Sequence, residues 1–415
     1  MKLNGSTFLR NTVWNAGYFG LAVLAFLGFT VIYTRQFGVE QYGTFSFLLN
    51  TVTALISLGA YEGFLITHSL TQSRWKFDEF NRRYFVFNAG LMIIAALIFA
   101  IISGRFDPFI VIFVAGAIYL DYRSQSSIAV LITHDDNWKI RACRTLYQIL
   151  LVSCFLVLRY AGFAPDLAFA LSVITAATAN YTLLYRNARA VLPDVCPSGS
   201  KLSDVEPRVL TIAITSNLAT VLALLLDKVT IRLFDTGGDY EIGLYFLFFD
   251  LATRAEALYL LISVPVTNHL YLRAQSGELA RRDIAIMIAG SVAIGILFAI
   301  ASYLFVPLIY DVSLEGLDVL PWLFGLYVVA RGIRYIVKAV CNATGLHLTL
   351  MLSNYLVFIG GALLLLLALW SGGGAISVAM IAGLLATAHL LRAPILAKVM
   401  TSRSGIGEPM KLGVV

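Results

Sequence analysis

GALLLLLALW, Gly361 to Trp370, is apolar on every face, and its reading decides the class of fold. A half-buried strand would alternate, and a membrane-barrel strand alternates strictly over about ten residues. A block with no polar member instead suits a helix whose whole circumference meets hydrocarbon. The apolar run reaches back to Leu348, near the ~20 residues that cross about 30 Å of bilayer core at ~1.5 Å per residue. Outward from this block the same pattern recurs. The spans expected are Thr12–Tyr33, Thr44–Ile66, Tyr84–Ile102, Pro108–Ile132, Thr145–Gly162, Leu167–Leu184, Val209–Ile231, Gly243–Val266, Ile284–Ile309, Val319–Val337, Leu348–Trp370 and Gly374–Leu391. With 59% hydrophobic and 13% charged residues, the chain has too little charge to coat a soluble body of 415 residues. The expectation is an all-α polytopic membrane protein with twelve transmembrane helices.

The basic residues support that count. Lys and Arg in the N-terminus and in every second connection number 21, whereas the opposite connections hold only Arg35, Arg105, Arg159 and Arg232. A missed or extra helix would mix the two groups from that point on. The excess of positive charge places both termini in the cytoplasm. Arg159 interrupts the outer end of the fifth span, which is the least regular of the set. The first span keeps Arg10, Asn11 and Asn15 close by and lacks a small-residue cleavage site, so it reads as a retained helix.

The loops narrow the function. The outer connections are short, which argues against a polymerase or ligase of lipid-linked sugars, since such an enzyme needs a substantial outer loop for its catalytic groups. A Gly-rich phosphate loop of a primary pump is likewise missing from the sequence. His134 beside Asp135 and Asp136 reads as a solvated turn rather than a metal site. The net charge of +6 fits a cytoplasmic face against anionic lipid and says nothing of nucleic acid, and no cofactor is implied.

The Pro- and Ser-rich connector over 187–208 divides the chain into bundles of six spans, 1–186 and 209–415. The first loops of the two halves are alike. TRQFGVEQYGTFSF (Thr34–Phe47) matches IRLFDTGGDYEIGLYFLF (Ile231–Phe248): Arg and Phe at a helix end, an acidic turn, then Gly and aromatics opening the next helix. Six spans return the chain to its starting side, so the halves are expected to be parallel repeats related by a pseudo-two-fold axis along the membrane normal.

Five stretches carry a resemblance to a known family. LRNTVWNAGYFG (Leu9–Gly20), TRQFGVEQYG (Thr34–Gly43), LLLDKVTIRLF (Leu224–Phe234), IGLY (Ile242–Tyr245) and KAVCNATGLH (Lys338–His347) resemble Wzx-type polysaccharide flippases. These belong to the multidrug/oligosaccharidyl-lipid/polysaccharide exporter superfamily. The resemblance implies two bundles that rock about a cavity in the bacterial inner membrane. It further implies passage of an undecaprenyl-diphosphate-linked oligosaccharide to the periplasmic leaflet, for O-antigen, capsule or exopolysaccharide assembly. A polysaccharide polymerase and a chain-length regulator are the partners implied. A cation-coupled multidrug exporter of the same superfamily is the alternative.

Charges within the spans mark the candidate site. Arg123, Lys228, Arg254, Arg331 and Arg334 are the basic ones, and Glu62, Asp121, Asp227, Asp250 and Glu256 the acidic ones. Each costs roughly 2.5–3.5 kcal/mol at the bilayer centre on the insertion scale, so they are expected to face one another or water. Arg331, Arg334 and Lys338 share one helical face as a cationic stripe toward the cytoplasm, suited to gripping phosphate oxygens. The other reading is that they pair with neighbouring carboxylates. Asp250 and Arg254 are one turn apart, close enough for an internal pair. Asp227 and Lys228, and likewise Asp121 and Arg123, are expected to point apart and to find separate partners. Arg331, Arg334, Arg254, Arg123 and Lys228 are thus the candidate cargo contacts. Asp250, Asp121 and Glu62 are candidates to carry a coupling proton or sodium ion, with static salt bridges as the alternative. Tyr119, Tyr122, Asn180, Tyr327 and Tyr335 either line a cavity or pack as interfacial aromatics.

Overall fold

Local signals in the sequence set where the helices begin and end. The computed structural model describes residues 5–59, 74–83, 85–134, 136–193, 207–234, 238–255, 281–343, 347–371 and 377–393. In chain order the helices are α1 (Gly5–Phe37), α2 (Val39–Ile56, extended by a 3-10 turn Ser57–Gly59), α3 (Arg74–Arg83), α4 (Phe85–Ser103), α5 (Pro108–Thr133), α6 (Asn137–Tyr160) and α7 (Pro165–Val191). They continue with α8 (Pro207–Leu233), α9 (239–255), α10 (Arg281–Tyr310), α11 (Leu320–Ala343), α12 (His347–Ser371) and α13 (Val378–Leu390). No strand occurs among the described residues.

Proline opens α5 and α7 at a position where its missing N–H is no loss. The Asp107 carboxylate caps α5 by accepting from Phe109 N at 2.8 Å, and Ser377 Oγ caps α13 from Met380 N at 3.2 Å. Between α1 and α2 the chain reverses on one residue, Gly38, whose φ of 89° is open to glycine and strained for any other side chain.

Every expected span falls on a helix so far as it is described. Among the described residues, eight helices are long and apolar enough to cross a membrane: α1, α2, α4, α6, α7, α10, α11 and α12. The charge-bearing α5 stays below that apolarity, and α13 is apolar but shorter. Large apolar side chains cover the outside, among them Trp370 at 86%, Val86 at 77% and Leu308 at 73% exposure. Water would not tolerate that surface; lipid requires it. The chain is a multi-pass helical membrane protein.

Two elements differ from the sequence expectation. The connection after the second span contains α3, which is seated by the buried Phe77 and by Arg74, whose Nε donates to the Arg189 carbonyl at 2.9 Å. Arg159 does not end α6 early. Its guanidinium lies 5.0 Å from the Phe37 ring centroid and donates to the Phe163 carbonyl and Gln41 Oε1, which satisfies the charge where the helix finishes at Tyr160.

The chain separates into two compact units, Met1–Val221 and Leu222–Val415, the division falling within α8. Unit 1 has a group of tilted, closely packed aromatics, with the Phe45 ring centroid 4.8 Å from that of Phe29 and 4.4 Å from that of Phe155. Unit 2 has a matching group in which Tyr245 and Tyr327 pack on Phe324 at 5.3 and 6.1 Å. In unit 2 the tightest helix contact joins α10 to α11. A Cβ added at Gly325 would stand 2.7 Å from the Gly295 carbonyl oxygen and 2.9 Å from Ala299 Cβ. Small residues at Ser291, Gly295 and Ala299 thus let the two backbones touch. Gly325→Val is expected to destabilise the protein by about 1–3 kcal/mol through overpacking. A melting curve in detergent measures it, and an unchanged midpoint would mean that the two backbones do not meet there.

Candidate functional site

Asp227 and Lys228 lie at mid-length of α8's second half and are buried, with side-chain exposures of 1–2%. Adjacent helical residues diverge by ~100° at Cβ, yet Lys228 curls back so that Nζ stands 3.0 Å from both carboxylate oxygens of Asp227. The expectation that the two find separate partners is therefore corrected: the flexible four-carbon stem bridges what the backbone separates. The Tyr245 hydroxyl on α9 donates to Asp227 Oδ2 at 2.7 Å. The Lys228 ammonium also sits 4.2 Å from the Phe249 ring centroid, where the ring's negative face favours a cation.

From Phe249 the cluster continues through aromatic contacts. Phe249 and Tyr327 are 5.8 Å apart, and Tyr327 meets the His389 ring edge-on at 5.5 Å. One turn beyond Tyr327 on α11, Arg331 is buried with its guanidinium carbon 5.8 Å from the Tyr327 ring centroid; Arg334 is half-buried. Arg392, just past α13, is 1% exposed and donates to His389 Nδ1 at 2.6 Å and to Asn354 Oδ1 at 3.0 Å. The charges of Arg392, Arg331, Arg334 and Lys228 all act on the His389 imidazole. Arg392 thus touches the buried ring directly, Arg331 reaches it through Tyr327, and Lys228 joins the same cluster through Phe249. Beside Asp227, a crevice of about 20 Å3 between α8, α12 and α13 has room for about one water.

Arg392 corrects the charge sorting. It directly follows the last expected span, where charge counting includes it in the cytoplasmic tail, but His389 and Asn354 hold it buried. Sequence reasoning also passed over His389, Asn354 and Tyr245. The available signal was the i, i+3 spacing of His389 and Arg392, two polar residues closing an otherwise apolar helix.

The remaining candidates sit elsewhere. On α9, Asp250 is buried, its charge acting on Tyr310 of α10, and Arg254 lies one turn further, half-buried. In unit 1, Asp121 is held by Arg144 Nη1 at 2.5 Å and by Gln125 Nε2 at 3.3 Å. Arg123 donates to the Asn81 carbonyl and lies 5.9 Å from the Phe85 ring, so it ties α5 to the α3–α4 corner. Glu62, Glu256 and the Lys338 side chain lie outside the described residues, although the backbone carries Lys338 on the α11 face of Arg331 and Arg334. Of the aromatics, Tyr122 is fully buried with its hydroxyl on the Leu55 carbonyl at 2.8 Å, and Tyr335 packs against the Ile284, Met287 and Ile336 core. A wider groove of about 590 Å3 runs along α7 in unit 1. Its Thr175, Thr178 and Thr182 hydroxyls donate to carbonyls one turn back, so it offers mainly methyl groups.

The sequence match between the first loops of the two halves allows their residues to be compared. Laying Arg35 on Arg232 and Gly43 on Gly243 places Thr30 opposite Asp227, Phe45 opposite Tyr245 and Asn50 opposite Asp250. In unit 1 Thr30 donates to the Phe26 carbonyl and Asn50 to the Ser46 carbonyl, each within its own helix. Unit 2 has charges where unit 1 has neutral side chains.

Comparison with known proteins places the fold. No known protein family and no curated protein sequence matches the chain. Among solved structures, it is similar to an inward-facing conformation of a multidrug resistance MATE family transporter of the MOP superfamily, at 13% identity and a TM-score of 0.66, over 96% of this chain and 100% of that one. A MOP superfamily transporter from Pyrococcus furiosus, whose binding pocket is described as reversed in polarity and as suggesting a different function, is similar at 11% identity and a TM-score of 0.61, over 96% and 95%. A MATE protein in complex with MaD5 gives 10% and 0.58, over 96% of each chain. The fold is thus one in which membrane transporters are built.

Proposed function

We propose that this chain is a membrane transporter of the exporter superfamily fold whose cargo is anionic. The leading cargo is an undecaprenyl-diphosphate-linked oligosaccharide, moved from the cytoplasmic to the periplasmic leaflet of a bacterial inner membrane by alternating access. Twelve crossings in two bundles, with both termini cytoplasmic, are the topology of this reading; the sorting of basic residues, 20 to 4 once Arg392 is set aside, supports it. The observation that carries the choice of cargo is the aromatic-linked cluster of buried Lys228, Arg331 and Arg392 inside unit 2, with Arg334 on the same α11 face as Arg331. Arginine keeps its charge when dehydrated and grips phosphate oxygens at two points. Arg331 and Arg334, which share one face of α11, are the contacts proposed for the diphosphate.

Export of cationic drugs, coupled to a proton or sodium gradient, is the second reading. On fold alone it is the better supported, because solved neighbours are named as multidrug transporters. Against it stands the sign of the cluster: a pocket for cations needs an excess of carboxylates. The neighbour whose binding pocket is described as reversed in polarity, suggesting a different function, supports the view that the fold alone does not decide the cargo.

Cells lacking the gene test the choice. The expected result is undecaprenyl-diphosphate oligosaccharide accumulating on the cytoplasmic leaflet, with unchanged sensitivity to cationic drugs. Normal arrival at the periplasmic leaflet together with raised drug sensitivity would select the second reading.

A further inference from the structure

The buried His389 ring has one nitrogen engaged and one idle. Its Nδ1 faces Arg392 Nη1 at 2.6 Å. A guanidinium has only hydrogens to offer, so Nδ1 accepts, and the ring is the neutral tautomer with its proton on Nε2. Asn354 Oδ1 holds the other arm of the guanidinium at 3.0 Å, which fixes the arrangement from a second helix. His389 is 1% exposed, and Nε2 has no hydrogen-bond partner among the described residues. Native folds seldom leave a buried donor unsatisfied, and one that persists points to a role. Arg392 touches the ring and Arg331 shares the Tyr327 ring with it, so the potential there is positive. That potential favours an oxygen bearing negative charge as the missing acceptor.

We infer that His389 Nε2–H is a cargo contact, a neutral donor reserved for an anionic phosphate oxygen. The inference rests on the anionic-cargo reading of the unit 2 cluster and adds direction to it. Arginine and lysine draw in any anion, whereas a neutral N–H locked in one tautomer rewards an acceptor at one position.

Full-length protein in micelles is titrated with inorganic diphosphate and, separately, with undecaprenyl diphosphate. His389→Gln keeps an N–H near Nε2 and an oxygen able to accept from Arg392, so affinity within about threefold of wild type is expected. His389→Met removes the donor and is expected to weaken binding roughly ten- to a hundredfold, the range for a hydrogen bond to a charged group. Because methionine also strands Arg392, His389→Met with Arg392→Leu is measured alongside to keep the outcome free of folding effects. Loss in both methionine variants and retention in glutamine supports the inference. Wild-type affinity in the double variant overturns it. Arg331→Ala with Arg334→Ala separates the two levels: if that variant loses binding while His389→Met/Arg392→Leu keeps it, only the histidine inference falls. If wild type binds neither probe, the anionic-cargo reading falls with it. Binding of the lipid form alone makes the tail part of recognition, and equal binding of both makes the diphosphate sufficient; either supports the donor role when His389→Met weakens it.

Discussion

Asp227→Ala is expected to lower stability by about 3–5 kcal/mol, the cost of leaving a buried charge without its partner. The carboxylate takes both the Lys228 ammonium and the Tyr245 hydroxyl, all three nearly out of reach of solvent. Its removal strands a cation and a donor together. The triple variant Asp227→Leu, Lys228→Met, Tyr245→Phe is expected to recover most of that loss, since apolar groups of similar size often match or exceed a buried ion pair. Unit 1 already has phenylalanine opposite Tyr245, so an aromatic ring alone suits this packing. Melting midpoints of the single and triple variants in one detergent measure both effects. A single variant as stable as wild type would show that Lys228 reaches water or another carboxylate, and the buried triad would be wrong.

Arg331→Ala with Arg334→Ala has the largest functional effect expected, a fall of at least about a hundredfold in lipid-linked diphosphate transport. Each lost charge-assisted contact is worth about 1.5–3 kcal/mol, and the two act on one cargo. Arg331→Lys is expected to restore only part, because an ammonium cannot form the two-point grip. The sign of a second readout separates the two functional readings. Removing positive charge should leave efflux of cationic drugs unchanged or raise it if the cargo is a cation, whereas diphosphate transport should collapse if it is an anion. Proteoliposomes loaded with each cargo give both numbers, and an unaffected diphosphate rate would remove these arginines from the cargo path.

What the sequence made readable follows from periodicity and depth. Blocks such as Gly361–Trp370 show helices directly, and the 3-residue offset of Arg331 and Arg334 shows a shared face, since both depend only on helical geometry. Arg392 was misplaced because charge counting treats any arginine at the edge of an apolar run as interfacial. Its true partners lie on α13 and, 38 residues earlier, on α12. The Asp227–Lys228 pair escaped because backbone angles predict where Cβ points and not how far a lysine stem folds back. Likewise α3 has no apolar run to reveal it, and what seats it is long-range: Asn81 accepts from Arg123 and Ser126 of α5. Periodicity reports a residue's face, and only packing reports its partner.

The touching backbones of Gly295 and Gly325 bear on how the arginines could ever move. Side chains that interlock can change rotamer and let helices slide, but two peptide planes in contact have nothing to rotate. Ser291 against Gly332 pins a second point two turns along α11. Helices α10 and α11 therefore form one stiff beam, and any stroke that carries Arg331 across the membrane also carries Ile284–Tyr310. Spin labels on the lipid-facing sides of Leu297 and Leu326 should keep a constant separation throughout a transport cycle.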